Sequence, residues 1–371
     1  MRDFIGSGKT VFRLWRLLVL LCLTVAGAGC LQVQQDMIIK GRFKYTEAIR
    51  DSWEEQMLFN IVSLRYGGAT AFLDVESLIT QYGIETTGGI LGGRGDRGFN
   101  TFLGNLSAVR SERPTITYAP LEGRAFALSM LTPISPAEVF GLINAGWNAE
   151  RSLRLILKSV NALSATHPGT RDLHPDFLEV LQAFKELQDQ GALGIRQDYS
   201  EETVRTFVYL QGGGDKPAVQ EAARILGDSL RIGPEFIPLA FDPAHGLEIV
   251  FGPYLGDPST VTLQTHSVMD ILVDIAAFIA VPEEHVREGR TQRNLSYDER
   301  DPLTRPPVRI LTSHDEPEAA MVSLHDRDTW FYIDDRDIES KKSFSFLMIL
   351  RQLQASHEAG RRPLVTIGTG K

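Results

Sequence analysis

Apolar residues recur at helical spacing in several stretches of the chain. Ile49, Trp53, Met57, Ile61 and Leu64 follow one another at steps of three and four, the buried stripe of an amphipathic helix. Thr46 is a suitable cap, and Gly67-Gly68 supply a stop because glycine enters the left-handed turn at low cost. Ser135-Pro136-Ala-Glu138 opens a second helix that runs to about Ala145: a capping serine, proline at the first position and an acid in the first turn. Leu153, Ile156, Leu157 and Val160 predict a helix over 149–163, and Phe177, Leu178, Leu181, Phe184 and Leu187 one over 175–190. Lys216 to Leu226 is a shorter one. Val268, Leu272, Ile275 and Ile279 lie on one line of a very apolar helix from Ser267 to Ala280, stopped by Pro282 and too short to span a bilayer. A last helix covers Ser343 to Leu353.

Alternation marks the strands. Pro114–Pro120, Ala125–Leu131, Gly194–Tyr199, Thr203–Leu210, Leu247–Phe251, Val308–Thr312, Ala319–Leu324, Thr329–Ile333 and Leu364–Ile367 are each expected to be extended. Phe72 to Tyr82 fits both periods; Val75, Leu78, Ile79 and Tyr82 with Asp74 as cap favour a helix ended by Gly83. Residues 83–98 carry seven glycines and read as a loop or loose hairpin, with a helix possible over Phe99 to Val109. Residues 288–307 are polar, charged and proline-bearing, which predicts an exposed loop. Helices and strands without regular alternation give an α+β class, with mostly antiparallel strands in one large domain over residues 42–371.

The first thirty residues are of another kind. Arg13 and Arg16 precede the apolar run Leu17–Val25, and Ala-Gly-Ala-Gly-Cys30 follows. A charged start, a short apolar middle and a small-residue region are the three parts of an export signal over residues 1–29. The end of it resembles the lipobox of bacterial lipoproteins, in which the thiol is acylated, with Gly27 standing where that pattern usually has leucine. The resemblance implies lipidation at Cys30 and a tether over 30–41. Leu31, in place of aspartate, implies the outer membrane, with the body facing the periplasm. A membrane partner through the lipid is therefore expected, since several acyl chains anchor stably where one does not.

Composition narrows the function classes. Removing residues 1–29 takes with it four Lys/Arg and one Asp, moving the formal charge from −9 to −12 and arguing against nucleic acid as a partner. The two cysteines are Cys22 and Cys30, so the body beyond the tether has neither a disulfide nor a cysteine-based metal site.

Motifs that carry chemistry are scarce. Gly6-Ser-Gly-Lys-Thr10 lacks the first glycine of a phosphate-binding loop and lies in the signal. Gly93-Arg-Gly95-Asp-Arg-Gly98 has dinucleotide-loop spacing without a strong preceding strand, so no cofactor is expected. No HExxH pair or Gly-x-Ser-x-Gly elbow occurs. Asp334, Asp335 and Asp337, with Glu339, form an acid cluster between an aromatic strand and a helix. They are the candidate catalytic residues of a hydrolase, set against a structural use in turns, helix caps and pairs with Arg336, Lys341 and Lys342.

Three groups of residues have a familiar look. They are Tyr45-Thr-Glu-Ala-Ile with Gln56–Tyr66 and Phe72-Leu-Asp-Val75; Leu131-Thr-Pro-Ile with Gly146-Trp147; and Trp330–Asp337 running into Ser340-Lys-Lys-Ser-Phe344. Together they resemble an uncharacterised family of predicted proteobacterial lipoproteins. The resemblance implies the cell envelope and carries no activity. The expectation is a non-enzymatic binding or assembly module with an envelope-protein or cell-wall partner, the alternative an envelope hydrolase acting through Asp334–Asp337.

Overall fold

The structure is a computed structural model that describes residues 43–94, 100–199, 204–211, 216–233, 246–257 and 259–356. The lipidation site at Cys30, the tether and the expected strand at 364–367 lie outside the described residues. The chain divides into two compact units, Met1–Leu58 and Phe59–Lys371. The described part of the first is the beginning of an α-helix over 43–65 (α1), with Met57 and Leu58 buried. The stop is as expected: Gly67 takes φ +72°, and the N–H of Gly68 reaches back to the Ser63 carbonyl at 2.8 Å.

In the second unit, helices and strands build an α+β fold. The helices are α2 (Gly123–Phe126), α3 (Pro136–Asn144), α4 (Ala149–Ile156), α5 (Pro175–Asp189), α6 (Pro217–Leu230), α7 (Val268–Ala277), α8 (Glu283–Arg287) and α9 (Ile338–Ser356). A six-stranded sheet holds β3 (Leu157–Val160), β4 (Leu163–Ser164), β5 (Leu193–Tyr199), β6 (Val204–Leu210), β7 (Leu247–Phe251) and β8 (Thr260–Thr265) in the order β4-β3-β8-β7-β6-β5. Its pairs are antiparallel except β7 with β8. A three-stranded antiparallel sheet has the order β10-β11-β9, from β9 (Leu311–Ser313), β10 (Ala320–Asp326) and β11 (Thr329–Asp334). Part of the core lies where α5 and α6 meet the end of the large sheet, around Ala183, Leu187, Leu210, Val219 and Ala222.

Several expectations are corrected. Phe72–Tyr82 is not a helix, nor is 100–109, the described part of the expected Phe99–Val109 helix: β1 (Leu73–Arg94) and β2 (Asn100–Pro120) run antiparallel, from Leu73 opposite Pro120 to Arg94 opposite Asn100. Much of the glycine-rich 83–98 segment therefore belongs to a strand. These two strands form a sheet of their own. Ala125–Leu131 is not extended but a helical turn with a π segment over Ala127–Leu131, in which the Ser129 hydroxyl bonds back to the Ala125 carbonyl at 2.8 Å. The helix expected over 149–163 ends at Ile156 because the His266 N–H takes the Ile156 carbonyl at 2.7 Å, and the chain continues as β3. β8, with its run Thr-Val-Thr-Leu-Gln-Thr, was not anticipated, and α9 begins at Ile338, earlier than Ser343.

Candidate ligand-binding cleft

The last turn of α4, the start of β3 and one side of α7, from Ile271 to Phe278, come together because the sheet order places β3 beside β8, which leads directly into α7. The loop before α5 closes on itself through a bridge between Thr166 and Leu173, and Leu173 N–H bonds to the Leu303 carbonyl at 2.8 Å. That bond brings in the long 288–307 segment. Between these five pieces lies a cleft of about 840 Å³, within the size range of small-molecule sites. Leu155, Leu157, Ile271, Ile275 and Phe278 give it apolar walls.

Its polar lining is rich in cations: Arg154, Lys158, Arg171 and Arg305, against Asp172 and Asp274. Three of these cations have carboxylate partners. Lys158 Nζ meets Asp270 Oδ2 at 2.8 Å, Arg171 pairs with Asp274, and Arg305 Nη2 meets Asp337 Oδ1 at 3.1 Å. Burial works against the Asp270 carboxylate, but Lys158 and the Ser267 backbone N–H hold its pKa below the usual range. Ser267 and Asp270 form a reciprocal capping box that fixes the start of α7.

Arg154 is different. Its Nη2 donates to the Arg305 backbone carbonyl at 2.6 Å, and among the described residues no carboxylate lies within ion-pair distance. It sits in the run Leu153-Arg-Leu-Ile-Leu157, whose four other members are buried. Burial pushes the Arg154 pKa down and the Arg305 charge adds to the shift, while Glu150 and Asp301 act in the opposite direction. A guanidinium carries five N–H donors and stays protonated. One is committed to the protein here, which leaves a cation in the cleft wall able to take an anion.

His266, also in the lining, has a buried Nδ1 with no hydrogen-bond partner, 4.0 Å from Asp274 Oδ2. Burial lowers its pKa, Asp274 and Asp270 oppose the shift and Lys158 adds to it, so the ring is neutral at neutral pH. His167 and His174, whose ring centroids are 4.5 Å apart, flank the loop on the cleft's edge, and His174 Nδ1 caps α5 by accepting from Asp176 N–H at 3.2 Å. Among the described residues no group of three or more His, Cys, Asp or Glu is placed to hold a metal ion.

The acid cluster stands apart from the cleft lining and its carboxylates are occupied. Asp334 accepts from the Arg336 N–H at 2.8 Å in the turn after β11. Asp335 pairs with Lys341, and Glu339 with Arg151 at 2.6 Å. Asp337 is the N-cap of α9: Ser340 N–H donates to its Oδ1 at 3.2 Å and the Ser340 hydroxyl to its Oδ2 at 2.8 Å, while Arg309 Nε approaches Oδ2 at 2.7 Å. Only 6% of the Asp337 side chain is exposed. Burial alone would raise its pKa; Ser340 and Arg309 outweigh that and keep it below the ordinary carboxylate range. Through Arg305, Asp337 helps hold the 288–307 segment against the cleft, which is a positioning role.

Sequence reasoning did not single out Arg154, Lys158, Arg171, Asp274 or Arg305. The one local signal was Arg154, a lone cation inside an apolar run. Comparison with protein families, with curated proteins and with solved structures found no match to this chain.

Proposed function

We propose that the chain is a lipid-tethered binding module of the bacterial envelope, anchored through Cys30 on the outer membrane with its body facing the periplasm, and that it holds a small anionic ligand in the cleft. The observation that carries the reading is Arg154, a half-buried guanidinium in the cleft wall with a backbone carbonyl as its only protein acceptor among the described residues. Buried cations are ordinarily paired, and an anion completes this one. Hydroxyls from Ser164, Thr166, Thr170 and Ser296 line the same cleft and supply neutral donors beside the charge. The shared chemistry is a carboxylate or phosphate group on a body small enough to rest against Ile271, Ile275 and Phe278. The export signal and lipobox-like residues support the envelope placement. No helix among the described residues is long and apolar enough to cross a membrane.

Calorimetric titration of the purified chain with succinate and with inorganic phosphate tests this. Saturable heat with either supports the reading and identifies the group; no heat with either in the millimolar range contradicts it.

A further inference from the structure

The ribbon formed by β1 and β2 has no part in the cleft and makes a separate demand. Its strands are 22 and 21 residues long, and at ~3.4 Å per residue the ladder extends on the order of 70 Å. It is a two-stranded sheet, so among the described residues each strand has one edge with no strand beside it. Two strands alone are marginal in water, and a long free edge presents a row of unpaired backbone N–H and C=O groups. At its base the ribbon is fixed: Leu121 N–H bonds to the Phe72 carbonyl at 2.9 Å, Asp74 pairs with Arg351, and the Arg351 guanidinium lies 5.1 Å from the centroid of the buried Phe72 ring.

Charge divides the ribbon in two. Between Glu85 and Arg94 on β1, and between Asn100 and Arg110 on β2, there is no charged residue. In that distal part the register sets Gly88 opposite Leu106, Ile90 opposite Gly104 and Gly92 opposite Phe102. In each of these pairs a glycine stands opposite an apolar residue in the register. The pairs between them are Thr87 with Ser107, Gly89 with Asn105, Leu91 with Leu103 and Gly93 with Thr101, a more polar set. Below it, β1 carries only acids, Asp74, Glu76 and Glu85, whereas β2 carries Arg110 and Arg113 against a single Glu112. In sequence, the two strands thus differ in charge over this part.

We infer that second copies of this chain cover these edges: β2 of one copy pairs antiparallel with β1 of the next, and the ribbons close into a ring-shaped β-barrel. Edge-to-edge pairing of this kind is heterologous, and closure is what separates a ring from an open fibre. The acidic lower part of β1 then lies beside Arg110 and Arg113 of its neighbour. The uncharged part, ~27 Å along the strand and ~20 Å along the axis at the usual tilt, is on the scale of a membrane barrel's apolar band. A closed barrel satisfies every edge group there without water.

The test uses the full lipidated chain extracted from membranes in mild detergent, with particle mass measured by native mass spectrometry. A single oligomeric mass is expected, and a variant whose residues 84–110 are replaced by an Asn-Gly turn joining Gly83 to Ser111 should be monomeric with the melting temperature of the body retained. A second measurement does not depend on that deletion. Differently tagged copies carrying Thr87→Cys and Ser107→Cys, co-expressed and oxidised in the membrane, should crosslink more than two Thr87→Cys copies do. A monomeric wild-type chain, an oligomer that survives the deletion, an open series of masses, or crosslinking no greater than the Thr87→Cys control would overturn the inference.

Discussion

Arg154 and Arg305 are linked through one hydrogen bond, from the Arg154 guanidinium to the Arg305 carbonyl at 2.6 Å, while the Arg305 guanidinium turns away to Asp337 at 3.1 Å. One arginine lines the cleft with no carboxylate among the described residues within ion-pair distance; the other gives its charge to the cap of α9. The acid cluster and the cleft are therefore connected mechanically, through the 288–307 segment, and they differ in what their charges are used for.

Stability should follow that division. Asp337→Asn removes the charge that Arg305 and Arg309 share and weakens a buried cap, so a loss of about 2 kcal/mol is expected. Asp334→Ala and Asp335→Ala, which act at an exposed turn and an exposed ion pair, should each cost less than about 1 kcal/mol. Urea denaturation of the three variants checks the ranking. Equal losses at all three positions would contradict the assignment of Asp337 as the member of the cluster that positions the fold.

Acid sensitivity near pH 6 is expected from histidine rather than from carboxylates. His266 and His285 both have pKa values lowered chiefly by burial. The unfolded chain therefore binds protons at these sites more readily than the folded one, and stability is fully present above the unfolded pKa of ~6.5. It declines as pH falls through that value towards the lowered folded pKa. The lowered carboxylates Asp270 and Asp337 act in the same direction in a separate window, below their unfolded values. Melting temperatures of the wild type and His266→Gln between pH 8 and 5 separate the contributions, and the variant should show the shallower slope. An identical slope in both would contradict a buried neutral His266.

Lipidation should depend on one sulfur. Cys30→Ala should abolish incorporation of labelled palmitate, while the melting temperature of the body stays the same. Label retained in Cys30→Ala would place the lipid on another residue.

The parts of the fold legible in the sequence were those in which one local force dominates. The stripe Met57, Ile61, Leu64 with its Gly67 stop, the Ser135-Pro136 start of α3 and the alternation from Thr329 to Ile333 each lead to the observed element. The errors fall where a distant partner decides. Val75, Leu78 and Tyr82 have helical spacing, yet the backbone ladder to β2 sets their conformation. The end of α4 is fixed by a backbone N–H from His266, over a hundred positions further along the chain. The acid cluster was visible because its members are consecutive, and its structural use, caps and pairs with nearby cations, was the alternative weighed against catalysis. The cleft was not visible, because its cations come from α4, β3, the 164–173 loop and the 288–307 segment, and only the fold brings them together. Arg154 gave a signal in its apolar surroundings, but a lone arginine there is as readily read as a helix residue reaching to solvent.

The central claim is that Arg154 is the anion receptor of the cleft. The most direct measurement is calorimetric titration of succinate and inorganic phosphate into the wild type, Arg154→Gln and Arg154→Lys, with melting temperatures recorded alongside. Loss of a charge-assisted hydrogen bond of about 1.5–3 kcal/mol predicts at least a roughly tenfold weaker affinity in Arg154→Gln, partial recovery in Arg154→Lys and little change in melting temperature. Affinity unchanged in Arg154→Gln would contradict the claim.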